Sequence, residues 1–293
     1  MNKVLITGLN GALAKSTSKV LKKHGYDIVF YTTNKNDVNN KNIFYWNPSE
    51  NIIDENALID CSHIIHLSGF SIIKPWTKKN KKLMYESRVV ASNLLFDCCN
   101  KNNIKIKNFI TASAMGYYGL KVKGIKNESD ISTSEWISKM AYDWERASCQ
   151  FKELNAKVVQ LRISLLIDKA SGYLNTLLQF LKFGFAPVFG SGKNIFEWIH
   201  IVDLSNFIKF ALENKNVVGP YNMATEKKIT QLFFIKKIKT KFSRLSLLFF
   251  VPTILLKILM GSKSNILKSN LSLSVKKLKS TGFKFKYPSV DSI

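Results

Sequence analysis

Eight residues near the start of the chain, Thr7-Gly8-Leu9-Asn10-Gly11-Ala12-Leu13-Ala14, combine small side chains at a spacing suited to holding phosphate. Set between an apolar strand and a helix, such a turn brings backbone N–H groups against a pyrophosphate, and the helix N-terminus adds a favourable partial charge. Gly8 permits the tight turn, Gly11 permits close approach of the phosphates, and Ala14 lets the helix lie near the sheet, while Asn10, Ala12 and Leu13 complete the cradle. The next strand ends Tyr31-Thr32-Thr33-Asn34-Lys35, without an Asp or Glu to bind the 2′-hydroxyl of an adenosine ribose. Thr33 and Lys35 at that end suit a 2′-phosphate, so the expected cofactor is NADP(H), with NAD(H) as the alternative. One more exposed lysine is the competing reading of Lys35. Leu67, Ser68 and Gly69 follow a further strand and are expected beneath the ribose, whereas His66 reads as a satisfied core histidine.

The run Thr111-Ala112-Ser113-Ala114-Met115-Gly116-Tyr117-Tyr118-Gly119 puts a hydroxyl and two phenols beside the expected nicotinamide. Ser113 is a candidate hydrogen-bond donor to a substrate oxygen and Tyr117 or Tyr118 a candidate acid, with aromatic loop packing as the alternative. Arg88 and Arg162 stand out in a crowd of lysines and suit an anionic group on a small-molecule substrate. His200 followed by Asp203 suits a helix N-cap with a packed imidazole. No spacing of His, Cys, Asp and Glu suggests a metal site, and the four cysteines read as reduced packing residues.

Positioning these groups requires an alternation of strands and helices. Short apolar runs at 3–7, 27–31, 42–46, 62–67, 107–112 and 157–163 predict strands, and helical periodicity appears over 11–23, 79–100, 136–154, 174–183 and 203–213. Near-continuous apolar strands suit a parallel sheet covered on both faces. The expected fold is therefore α/β, a Rossmann-type doubly wound parallel sheet over residues 1–240, with a small, mainly helical C-terminal subdomain over 241–293. The apolar run 245–260, broken by Pro252 and Lys257, is too short to span a bilayer and is expected to be a buried or amphipathic helix. A surface segment docking on a membrane or another subunit is its weaker reading.

The formal net charge of +24 invites a nucleic-acid partner, but the lysines are scattered in short clusters and no recognition motif accompanies them. A solvated basic surface without nucleic-acid binding is expected. The apolar strand that follows the first residues leaves no room for a leader, which predicts a cytoplasmic location, and a homodimer is compatible with the sequence.

The motifs at Thr7–Ala14, Trp46-Asn47-Pro48, His66–Gly69, Ser87-Arg88-Val89, Ser113–Gly119, Trp144-Glu145, Leu161-Arg162, Gly190-Ser191-Gly192, Trp198–Asp203 and Gly282–Pro288 are similar to those of one family. The chain resembles the epimerase family of divergent short-chain dehydrogenase/reductases, related to NAD-dependent epimerases and dehydratases, with that family's small C-terminal domain. The resemblance implies proton relay through Ser or Thr, Tyr and Lys with hydride exchange at nicotinamide, and it puts Ser191, Trp198, His200 and Asp203 on the substrate side, closing over the cofactor. Here Ile137 and Ala141 stand where that Tyr and Lys belong, and neither moves a proton. Tyr117 and Lys121 repeat the spacing, but Gly119 between them argues for a loop. The expected function is an NADP(H)-dependent oxidoreductase or epimerase-like enzyme on a small metabolite, anionic or neutral, with a non-standard acid/base set. The alternative is a catalytically weak dinucleotide sensor acting through a protein partner, for example in cell division.

Overall fold

Val4, Leu5 and Ile6 are completely buried, as a strand covered on both faces requires. This strand, β1 (Lys3–Thr7), turns into α1 (Ala12–Lys23), followed by β2 (Asp27–Thr32), β3 (Ile43–Asn47), the short β4 (Ile52–Ile53) and β5 (Cys61–His66). Helix α2 (Lys78–Tyr85) continues through a π-helical turn at Glu86–Val90 into α3 (Ala91–Lys101). Next come β6 (Asn108–Ala114), β7 (Lys123–Lys126), α4 (Trp136–Cys149), β8 (Lys157–Ile163), β9 (Leu165–Ile167) and α5 (Gly172–Lys182). The chain continues with β10 (Phe185–Phe189), β11 (Trp198–His200), α6 (Ile201–Glu213), β12 (Gly219–Met223) and α7 (Gln231–Phe242). It ends with β13 (Leu247–Val251), α8 (Thr253–Met260), α9 (Ser264–Lys268), β14 (Asn270–Leu273) and α10 (Lys276–Ser280). The computed structural model describes residues 2–39 and 41–293, with the side chains of 259, 260, 262, 267 and 268 outside that description.

The central sheet has the order β12-β8-β6-β5-β1-β2-β3-β4 and is parallel except for the edge pair β3–β4. Leu21 of α1 and Leu204, Phe207 and Ile208 of α6 pack on one face, and Leu95, Cys99 and Phe151 pack on the other. The chain leaves β1 toward β2 and later returns on its other side as β5. Ligands of doubly wound folds bind at such a reversal, outside the carboxyl ends of the strands. The doubly wound parallel fold expected from alternation is thus the one observed.

The C-terminal segment is woven onto the earlier chain: β13 pairs with β10, β14 with β7, and both carboxylate oxygens of Asp203 accept from the backbone, Oδ1 from Lys286 at 2.7 Å and Oδ2 from Tyr287 at 2.9 Å. The helix expected over 245–260 is instead strand β13 followed by helix α8, with the last two side chains of that stretch outside the described residues. Pro252 marks the change: it cannot donate to a ladder, yet its fixed φ suits the residue before a helix. Among the described residues no helix is long and apolar enough to cross a membrane, and no group of three or more His, Cys, Asp or Glu is placed to hold a metal ion.

Candidate functional site

Two cavities open along the carboxyl edge of the sheet. The first, of about 410 Å³, is walled by Gly8, Asn10, Gly11, Thr33, Leu67, Ser68 and Gly69, together with Tyr31 and Trp46. Gly8 adopts φ +84°, and a Cβ there would stand 3.1 Å from Ser68 Cα, so the turn needs glycine for both conformation and space. Gly11 N–H donates to Gly8 O at 2.8 Å, and Gly11 is the N-cap of α1, which has no side-chain cap and no acid in its first turn. The helix's first N–H groups therefore lack intrahelical acceptors, which is the arrangement that suits an anion. Ala12, Leu13 and Ala14 lie within α1, and Ala14 is buried against the sheet. Lys35 lies off this wall, with Nζ 5.2 Å from the Tyr45 ring centroid.

Thr7 fixes the turn opposite the glycines. Its Oγ1 accepts from the N–H groups of Leu67 and Ser68 at 3.0 and 2.9 Å and lies 2.9 Å from His66 Nδ1. His66 Nε2 faces Arg88 O at 3.3 Å, a carbonyl that can only accept. These contacts fit one neutral tautomer, with the proton on Nε2 and Nδ1 accepting from Thr7. Burial lowers the His66 pKa to about 4, which keeps it neutral. Behind the turn, Arg88 Nη1 donates to Phe70 O and Met84 O, both at 3.0 Å, and the guanidinium lies over Trp144. A Cβ on Gly69 would stand 2.8 Å from Arg88 Nη2. Burial lowers the Arg88 pKa to about 10.

Arg162, expected on the substrate side, is instead enclosed. Its Nε and Nη2 donate to Glu145 Oε1 and Oε2, each at 2.9 Å, with the two side chains only 3% and 10% exposed. Ser113 Oγ donates to the same carboxylate at 2.6 Å, so the candidate substrate donor is also engaged. Tyr118 Oη accepts from Arg162 Nη1 and lies 2.8 Å from Asn222 Oδ1, fully buried. Burial pushes the Tyr118 phenol up to about 12 despite Arg162 beside it, the opposite direction from a phenol prepared to lose its proton. Tyr117 is also raised, chiefly by burial, with its ring 3.6 Å from the Arg162 guanidinium. Burial disfavours the charge on Arg162, but the hydrogen bonds and charge of Glu145 outweigh it and hold its pKa above the usual range.

The remaining substrate-side candidates are scattered. Ser191 is exposed in the turn after β10, and Trp198 is buried against Phe234. His200 caps α6, its Nδ1 accepting from Val202 N at 3.3 Å, and stacks on Tyr287 at 3.7 Å. The packed N-cap is the geometry found.

The model of the NAD dependent epimerase/dehydratase family matches residues 4–224. The chain belongs to that family. An epimerase family protein of Staphylococcus haemolyticus is 28% identical over 288 residues, covering 98% of this chain and 96% of the relative. One from Staphylococcus aureus is 26% identical over 290 residues, again covering 98% and 96%. Among solved structures, the human epimerase family protein with NADPH superposes at a TM-score of 0.86 and 18% identity, covering 99% of this chain and 97% of its own. UDP-glucuronic acid 4-epimerase from Bacillus cereus, in complex with UDP-glucuronic acid and NAD, gives a TM-score of 0.77 at 16% identity, covering 99% and 95%.

In this epimerase-family chain the second cavity, of about 260 Å³, opens where β6 and β8 end, bordered by Ala114, Met115, Gly116, Ile163 and Ser164. Ile137 lies on its wall, and Ala141 is buried in the core, so the positions where the resemblance puts Tyr and Lys carry one cavity-facing alkyl group and one packing methyl. Three features escaped the sequence reading: the Tyr31–Trp46 stack at 5.2 Å, Glu145 as partner of Arg162, and Asp37. Asp37 returns to the glycine turn through a short 3₁₀ helix, accepting from Asn10 Nδ2 at 3.1 Å and Thr32 Oγ1 at 3.3 Å. Its position five residues past a strand ending in Thr32 was the available signal.

Proposed function

We propose that this chain binds NADP(H) in the first cavity and acts as an oxidoreductase or epimerase-like enzyme on a small molecule in the second. The carrying observation is the glycine cradle at the start of α1, with unsupplied N–H groups beside a wall that Ser68, Gly69 and Thr33 complete. The cofactor supplies hydride chemistry when bound; Gly8, Gly11 and the α1 N-terminus hold its phosphates, and Thr33 and Lys35 meet the ribose end. Preference for NADP(H) rests on a strand end and cavity wall that bear no carboxylate, Asp37 being tied to Asn10 and Thr32 outside that wall. Arg88, with its guanidinium against Gly69, contributes positive charge to the cofactor side and not to a substrate. Ser113 and Tyr118 act as positioning residues, since their hydroxyls are committed to Glu145, Asn222 and Arg162.

Ile137 and Ala141 favour a second reading, a dinucleotide sensor with little turnover. Titration with NADPH, NADH and their oxidised forms, then NADPH absorbance decay against carbonyl compounds, separates the two. Binding with turnover supports the enzyme; tight binding without turnover supports the sensor. Absence of binding by every dinucleotide would remove both readings, and tighter NADH than NADPH binding would remove the cofactor preference.

A further inference from the structure

We infer that the second cavity takes an uncharged, largely apolar molecule bearing a carbonyl or hydroxyl group, not a nucleotide-activated sugar. This rests on the reading of the neighbouring cavity as the cofactor site. Met115, Leu120, Ile137, Ile163, Leu165 and Phe196 form much of the wall, and among the described residues no Lys, Arg or His lines it. Most polar side chains that border it are engaged within the protein, and the buried Tyr173 hydroxyl, which has no hydrogen-bond partner among the described residues, is left to meet the single carbonyl or hydroxyl of such a molecule. Glu197 Oε1 accepts from Ser272 Oγ at 2.9 Å and Leu273 N at 3.0 Å and pairs with Lys228 at 2.8 Å. Gln231 Oε1 accepts from Phe189 N at 2.9 Å, and Ser164 Oγ donates to Met223 O at 2.7 Å. With the Tyr173 hydroxyl as the one buried unpartnered polar side-chain atom among the described wall residues, a sugar ring seated there leaves most of its hydroxyls short of partners, and an anionic substrate group finds no cation among those residues. An alkyl or aryl body matches the wall by burial of apolar surface.

The test compares benzaldehyde, acetophenone and decanal with UDP-glucose and UDP-glucuronate, using the full chain with its bound nicotinamide cofactor. Saturation-transfer NMR reads binding without requiring turnover. Binding of at least one apolar carbonyl at tenfold or greater affinity over both UDP-sugars is expected, abolished by Ile137→Arg with NADPH affinity within threefold of the parent. Tighter binding of a UDP-sugar, or no binding of any apolar probe while NADPH is held, overturns the inference and leaves the cofactor reading standing. Failure to bind NADPH overturns the reading beneath it. Ile137→Leu guards against a folding artefact, since it retains the apolar wall and is expected to retain the probe.

A separate observation assigns a lipid-facing surface. In the parallel pair β10–β13, Phe185 stands opposite Leu247, Pro187 opposite Phe249 and Phe189 opposite Val251. Alternation along strands puts these six apolar residues on one face, while Ala186 and Val188 on the other are buried in the core. The outer face is open at Leu247, Phe249 and Phe185, which are 70%, 54% and 53% exposed, while Pro187, Phe189 and Val251 are half-buried. Residues 227–290 contain fifteen Lys and Arg and no Asp or Glu, and Lys182, Lys241, Arg244 and Lys257, each within six residues of β10 or β13 in sequence, have exposed side chains. An apolar face within a wholly basic segment complements an anionic lipid surface, where apolar insertion and charge attraction act together. Two copies of the chain would bring like charges together at the same face.

We propose that this face seats on anionic membranes. Sedimentation with phosphatidylcholine vesicles containing or lacking 30% phosphatidylglycerol tests it. At least tenfold stronger binding to the anionic vesicles is expected, falling at least tenfold between 50 and 500 mM salt and in Leu247→Ser/Phe249→Ser. Those side chains face outward, so an unchanged melting temperature verifies the variant's fold. No binding to anionic vesicles at low salt, or equal binding to both kinds, overturns the proposal. A dimer abolished by the double substitution, without vesicle binding, assigns the face to a second copy and overturns it equally.

Discussion

Replacing Arg162 with Met distinguishes a structural cation from one that meets substrate. The substitution keeps the length of the side chain but removes two 2.9 Å hydrogen bonds to Glu145 and the contact to Tyr118 Oη. Glu145 is then left charged in a nearly closed site with Ser113 Oγ as a remaining donor. Breaking one side of a buried pair costs about 3–5 kcal/mol, mostly as the desolvation of the partner left behind. At roughly 2–4 °C per kcal/mol for a chain of this order of size, Tm falls by about 10 °C or somewhat more. Removing both charges, as Arg162→Met/Glu145→Met, relieves the stranded carboxylate and is expected to recover most of that loss.

Differential scanning fluorimetry reads the melting temperature, and NADPH titration well below the transition reads the site. Cofactor affinity is expected to remain within about threefold, since Arg162 is on neither cavity wall. A variant melting within 2 °C of the parent, roughly 1 kcal/mol or less, would refute the buried-pair reasoning. It would do so decisively if KM for a substrate rose at the same time, because the guanidinium would then have been facing solvent and ligand.

Gly69→Ala pushes a methyl to 2.8 Å from Arg88 Nη2, whose guanidinium is held by two carbonyls; NADPH affinity is expected to fall about tenfold or more, read by fluorescence titration, with a stability loss of roughly 1–3 kcal/mol. Lys35→Ala is expected to weaken NADPH by about fivefold and leave NADH unchanged, the magnitude of an exposed charge pair; equal losses for both cofactors would reject a 2′-phosphate contact. His63, His66 and His200 are each lowered to about 4, chiefly by burial. Their contributions are therefore intact above an unfolded pKa near 6.5 and are lost as pH falls from there toward 4, by up to roughly 3 kcal/mol for fully buried His66. A melting temperature independent of pH from 7 to 4.5 would contradict that burial, and His66→Gln should flatten part of the slope.

The legible part of the molecule is the part whose causes are local. Gly8, Gly11 and Ala14 lie within eight residues of one another between a run that must be a strand and a run that must be a helix, so the turn and its ligand chemistry follow from neighbours in sequence. The 245–260 run misled because an apolar stretch of that length has no polar face to set a period, and the residue dividing strand from helix is a single proline. Arg162 misled for a different reason. A scarce arginine at the end of a sheet strand is equally suited to a substrate anion and to a carboxylate, and what decides is Glu145, on α4 and 17 residues earlier, which becomes its neighbour only when α4 packs on the sheet. The same reasoning bears on Ile137. Sequence spacing identifies what it replaces, but its place on a cavity wall depends on β6, α4 and the C-terminal segment meeting there. On the proposed reading, an alkyl group at the position where the resemblance puts Tyr extends the apolar surface of Met115, Leu120, Ile163 and Phe196 on that wall, and the substrate class follows from that extension.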